Sequence, residues 1–262
     1  MPYVDANGIR LYVEDRGQGP ALVLLHGTGT SGRVWDAQLA DLSRDHRIVA
    51  VDSRGCGRSD RPVVGNTIAG NTADVLAVID ALDLDRPVVV GSSVGAVFAI
   101  EAALAAPGRI GGIISIDGPG YWPAVALGDK LVEVAAATDR AAQFAEWVPT
   151  WYSPAASPEL VASTLRQILE SSEHVDELFA DGASYDPRER IRELDVPVLF
   201  LHGALDASIP CEVSRVLAGL APQGTFRLIE GAGHMPHQER PEAVNEAVRE
   251  AVSRLAAPQL VV

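Results

Sequence analysis

The chain has 262 residues, with 35 Asp plus Glu against 21 Lys plus Arg and a formal net charge of −14, so its field repels nucleic-acid backbones and anionic membrane surfaces. No stretch approaches the roughly 20 apolar residues that span a bilayer, and the opening MPYVDANGIRLYVED has neither a basic leader nor an apolar core. The expectation is a cytoplasmic monomer or small homo-oligomer that acts on a small molecule without metal or cofactor; Cys56 and Cys211 read as free thiols.

Tyr3-Val4 and Ile9 to Glu14 flank Asn7-Gly8, a hairpin signal that predicts an antiparallel start to a sheet. From about residue 20, short β-branched runs alternate with Ala/Leu-rich stretches, the pattern of a mostly parallel sheet with helices on both faces. Buried strands are expected at Ala21 to Leu25, Ile48 to Val51, Val88 to Val90, Ile110 to Ile116, Val198 to Leu201 and Phe226 to Ile229. Apolar residues near helical spacing predict helices at Asp74 to Leu82, Val94 to Ala105, Glu212 to Leu220 and Pro241 to Leu255.

Between Ile116 and Val198 the pattern changes to helix-like segments and several prolines. This divides the chain into a core, 1–118 with 191–262, and a helical lid, 119–190. The lid holds Trp122, Trp147 and Trp151, three of the four tryptophans. Such rings either pack the lid onto the sheet or line a pocket beneath it, where they would contact substrate. The lid also carries 12 acidic and 5 basic side chains, which read as a solvated face or, alternatively, as a negative rim that would discourage carboxylate-bearing substrates; a preference for such substrates would point to Arg140 or Arg166 in the pocket.

Val88 to Ala96 reads as an apolar strand, a Gly-x-Ser-x-Gly turn and the start of a small-residue helix. In this nucleophile elbow, Gly91 and Gly95 permit a sharp turn that lifts Ser93 above the sheet. Ser92 is not the elbow serine, because Val90 stands where its leading glycine would be. A serine hydroxyl needs a general base and a carboxylate to orient that base. His234, after the glycine-flanked turn Gly231-Ala232-Gly233, is preferred to His237 as the base. Asp206, just beyond the strand ending LHG, is the leading acid, with Asp117 at the end of the earlier strand as the alternative. Charge developing on an acyl oxygen calls for two backbone donors, assigned to Val94 and Thr28. His26 reads as a structural hydrogen-bonding residue.

Taken in order, HGTG, DSRGCGRSD, GSSVG, LHGALD and GAGHMPHQERP resemble the α/β-hydrolase superfamily over residues 20–118 and 190–256. That resemblance implies the α/β-hydrolase fold, and it makes Arg54 and Cys56 packing or loop residues. DSRGCGRSD is similar to proline iminopeptidases, but HGTG lacks their proline and looks closer to esterases, lactonases, C–C bond hydrolases and haloperoxidase-like perhydrolases. The expected reaction is hydrolysis of a small carboxylic ester or lactone through an acyl-enzyme. A non-catalytic ligand sensor on the same scaffold is the alternative outside enzymology.

Overall fold

The structure, a computed structural model, describes residues 2–121 and 125–256. Strands β1 (Tyr3–Ala6) and β2 (Ile9–Arg16) form the expected hairpin, with Asn7 and Gly8 at φ 49° and 79°. A two-residue turn with both residues left-handed matches the twist of the strands it joins. The chain continues through β3 (Ala21–Leu25), α1 (Asp36–Leu42), β4 (Arg47–Val51), α2 (Ile68–Ala81), β5 (Val88–Ser92), α3 (Val94–Ala105) and β6 (Gly112–Ile116). Then come α4 (Val125–Ala135), α5 (Arg140–Trp147), α6 (Pro158–Glu170) and α7 (Glu177–Gly182), with no strand among the described residues between β6 and β7. The remaining elements are β7 (Val198–Gly203), α8 (Cys211–Leu220), β8 (Gly224–Ile229), α9 (Pro236–Glu239) and α10 (Pro241–Ala256). No helix among the described residues is long and apolar enough to cross a membrane.

The eight strands form one sheet in the order β1-β2-β4-β3-β5-β6-β7-β8. β2 runs antiparallel to both β1 and β4, and every other pairing is parallel. Successive residues of the parallel strands enter opposite cores. Val23, Leu25, Val49, Val51 and Val89 lie in one cluster, while Leu22, Leu24, Ile48, Ala50 and Val90 lie in the other. This explains why these strands read as unbroken apolar runs: both faces are covered. α3 is apolar on nearly every side because it sits in the first core against β5, β6 and α2.

Several boundaries differ from the sequence reading by one or two residues, and the start of α2 differs by six. α2 begins at Ile68, six residues before Asp74, because the Thr67 side chain caps it by accepting from the Gly70 N–H; the small and polar residues of its first turns hide the helical period. β6 begins at Gly112, since the Gly111 N–H bonds to the Pro87 carbonyl outside the strand.

Candidate active site

The parallel strands point their carboxyl ends the same way, and the loops leaving β3, β5, β6, β7 and β8 meet there, as ligand sites do on open α/β sheets. Ser93 stands between β5 and α3 at φ 53° and ψ −126°, a strained left-handed conformation for a residue with a side chain. Tight packing around it leaves little choice: a Cβ at 91 would run into the Gly95 carbonyl, and one at 95 into the Leu25 carbonyl. The Ser93 N–H bonds to the Ile116 carbonyl at 2.8 Å, which ties the turn to β6.

Asp206 and His234 reach the same point from the loops after β7 and β8. His234 Nδ1 lies 2.7 Å from Asp206 Oδ2, and its Nε2 lies 3.1 Å from Ser93 Oγ. A carboxylate only accepts, so Nδ1 carries the proton, leaving Nε2 free to accept from the Ser93 hydroxyl. Asp206 Oδ1 accepts from the Ser208 and Ile209 N–H groups at 2.7 and 3.0 Å. Burial opposes the Asp206 charge, but His234 and His202 together hold its carboxyl well below the usual carboxylate range.

The Thr28 and Val94 amides have no partner among the described residues, and both residues border the same cavity as Ser93. That cavity, of about 230 Å³, is otherwise walled mainly by apolar groups, among them Trp147, Trp151, Phe179, Ile209 and Met235. Trp147 and Trp151 also meet edge to face at 5.2 Å, so they pack the helical segment while facing the cavity. Trp122 lies outside the described residues. Neither Arg140 nor Arg166 lines the cavity: Arg140 is held by Asp176, Ser171 and the Ile168 carbonyl, and Arg166 is exposed.

Among the described residues, Ser93 Oγ is hydrogen-bonded to none of the other histidines and not to the alternative acid. His26 is buried; its Nε2 accepts from the Ser53 N–H at 2.9 Å and its Nδ1 lies 2.7 Å from the Gly27 carbonyl, so it braces the loop that presents Thr28. His237, the histidine passed over as the base, is completely buried and lies 4.3 Å from the Trp35 ring, centroid to centroid. Asp117 accepts from the Gly203 N–H at 2.8 Å and lies behind Asp206. Arg54 grips Asp74 with two 2.7 Å bonds, and burial pushes the Cys56 thiol up to about 12.

Two groups had no signature in the sequence. Glu239 accepts from the Gly233 N–H at 2.8 Å with one carboxylate oxygen and from the Ser153 N–H at 2.9 Å with the other. Together with the His234 N–H bond to the Trp151 carbonyl at 2.6 Å, it fastens the His234 turn to the helical segment. His202 is the second; its Nε2 donates to the Ile209 carbonyl at 2.9 Å, and its Nδ1 lies 2.8 Å from Ser214 Oγ. The one clue to either was that it lies within a motif already noted, LHGALD for His202 and GAGHMPHQERP for Glu239.

A family model described as the alpha/beta hydrolase family matches residues 22–247. The chain belongs to that family. It is similar to a 2-hydroxy-6-oxononadienedioate/2-hydroxy-6-oxononatrienedioate hydrolase of Burkholderia vietnamiensis, at 27% identity over 95% of this chain and 93% of the relative. Among solved structures, a thermophilic esterase from Thermogutta terrifontis superposes with a TM-score of 0.89 at 26% identity, covering 97% of this chain and 98% of that one. An N-acyl homoserine lactone degrading enzyme superposes at 0.85 with 28% identity, covering 95% and 99%. These matches cover 95 to 97% of this chain, so they take in most of the helical segment between β6 and β7.

Proposed function

We propose that this protein is a serine hydrolase that cleaves small, uncharged carboxylic esters or lactones. The observation that carries the reading is the hydrogen-bonded run from Asp206 through His234 to Ser93, at a cavity bordered by the Thr28 and Val94 amides. Ser93 Oγ attacks the acyl carbon as its proton passes to His234 Nε2. The negative charge on the acyl oxygen is met by the two amides, and the alcohol leaves with the proton from His234. Water then follows the same path and releases the acid; with a lactone, both products belong to one molecule. Asp206 keeps the imidazole in the tautomer this needs. Residues 119–190 act as the lid over the cavity, with Trp147 and Trp151 contacting the acyl group.

The cavity wall supports the choice of substrate. It has no Arg or Lys side chain among the described residues, which disfavours the dioate named for the Burkholderia relative. An adjoining groove shares Ile68 and Tyr185 with the cavity and adds Glu101, Asp181 and Asp186, with Arg190 paired to Glu101. Its net charge repels carboxylates. A fluorophosphonate probe tests the chemistry: the parent is labelled and Ser93→Ala is not. A folded parent that stayed unlabelled would favour the ligand-sensor reading. A panel of p-nitrophenyl esters, lactones and aminoacyl amides, with and without peroxide, tests the class. Neutral aromatic or medium-length acyl esters should show higher kcat/KM than matched substrates with a free carboxylate, and the gap should narrow with salt.

A further inference from the structure

Behind Asp206 lies a second buried carboxyl that the proposed chemistry does not use. Asp117, in a left-handed backbone conformation at φ 47° just after β6, has no exposed surface. One of its oxygens accepts from the Gly203 N–H at 2.8 Å, and the other, Oδ2, has no partner able to donate to it. A carboxylate oxygen of Asp117, one of Asp206 and a ring nitrogen of His234 all lie within 4.8 Å of one another.

The donors around this pair are divided unequally. Asp206 receives the Ser208 and Ile209 amides and His234 Nδ1, while Asp117 receives the Gly203 amide. His202 Nε2 stands 3.4 Å from an oxygen of each aspartate and 2.9 Å from the Ile209 carbonyl, and of the two it is the Asp206 carboxyl that it helps hold low. Glu239, of the same sign as Asp206, adds to the repulsion felt by Asp117. Two ionised carboxylates this close and this deep would repel strongly, and the donors present compensate only one.

We propose that Asp117 is a positioning residue that works as a neutral acid: it keeps its proton and donates it to Asp206, so that Asp206 alone presents negative charge to His234. Burial and the Asp206 charge both push the Asp117 carboxyl well above the usual carboxylate range, in the direction this requires. The proton satisfies the orphaned Oδ2, and the bond adds a restraint on the orientation of Asp206 to those of its backbone donors. It also draws charge from Asp206, which makes the neighbouring imidazole easier to deprotonate. The catalytic part of this inference rests on Asp206, His234 and Ser93 acting as proposed above; the protonation of Asp117 does not.

The test compares the parent with Asp117→Asn and Asp117→Leu in the full chain. Asparagine keeps a neutral donor and an acceptor in place, so its acid limb of kcat/KM against pH, measured on a p-nitrophenyl ester, should coincide with the parent's. Leucine keeps neither, and its limb should move to higher pH. An Asn limb displaced downward by on the order of one pH unit or more would mean a negative charge had been removed, and would overturn the proposal. A folded Leu variant with an unmoved limb would remove the positioning role, whereas a Leu variant that failed to fold would leave the limb comparison to asparagine.

Thermal unfolding supplies a readout independent of catalysis. Above the ordinary Asp range the unfolded parent loses the Asp117 proton and the folded parent keeps it, so the parent loses stability as pH rises and the Asn variant does not. The Tm of Asp117→Asn relative to the parent should therefore climb between pH 4 and 7. A flat or falling difference would overturn the neutral acid even in an active enzyme. A parent inactive on every substrate would count against the proposed reaction and leave this measurement standing.

Discussion

Replacing Asp206 with asparagine changes one atom, and the surrounding structure dictates how the amide must sit. Asp206 Oδ1 accepts from the Ser208 and Ile209 N–H groups at 2.7 and 3.0 Å. The amide oxygen of Asn takes that side, because turning NH₂ toward two N–H donors would leave buried donors unsatisfied. The NH₂ group then faces His234 Nδ1, which must become the acceptor. The imidazole proton shifts to Nε2 and points at Ser93, where a base is needed. The expected loss is on the order of 10⁴ in kcat, the cost of the corresponding wrong tautomer in another serine hydrolase. That corresponds to about 5.5 kcal/mol in the barrier. Single-turnover hydrolysis of a p-nitrophenyl ester, with circular dichroism and Tm as controls for folding, measures it. A loss below about tenfold in a folded variant would refute the orientation argument, and a larger loss for Asp117→Asn would move the acid to the end of β6.

Other outcomes follow from the same contacts. Ser93→Ala should abolish ester turnover with little change in Tm, whereas Ser92→Ala, whose buried hydroxyl has no hydrogen-bond partner, should be mild; equal losses would undo the elbow assignment. Glu239→Gln puts an NH₂ group against either the Gly233 or the Ser153 N–H and loosens the His234 turn. It should lower kcat by on the order of 10²-fold with a smaller effect on KM, and unchanged kcat would show that the turn holds itself. Burial and then His234 push the His237 pKa down to about 3. Below its unfolded pKa of about 6.5 the unfolded chain gains a proton that the folded one refuses, so stability is lost as pH falls through that window. His237→Leu should therefore lose less Tm than the parent between pH 7 and pH 4; parallel curves would contradict this.

Much of this protein is written in short stretches of its sequence. The strands of the parallel sheet are unbroken apolar runs because both faces are buried, and α3 spans Val94–Ala105 as its composition predicts. The elbow was legible because Gly91, Ser93 and Gly95 act within one turn, where a missing Cβ is a local property. That Asp206 and His234 would come together with Ser93 could be read from their places after strands, since the carboxyl ends of parallel strands gather at one edge. The start of α2 escaped because one cap, Thr67, sets it without an apolar period.

Other features depended on residues far apart in the chain. Which aspartate faces His234 was decided when β7 came to lie between β6 and β8, with Asp206 against the imidazole and Asp117 behind it. The hold of Glu239 on Ser153, the seating of His237 on Trp35 and the apolar wall shared by Trp147 and Met235 are likewise contacts across many residues. Periodicity and turn chemistry act over a few residues, so they specify elements. Whether a buried carboxyl or imidazole is charged depends on every donor and charge within a few ångströms, and only the folded chain assembles that neighbourhood.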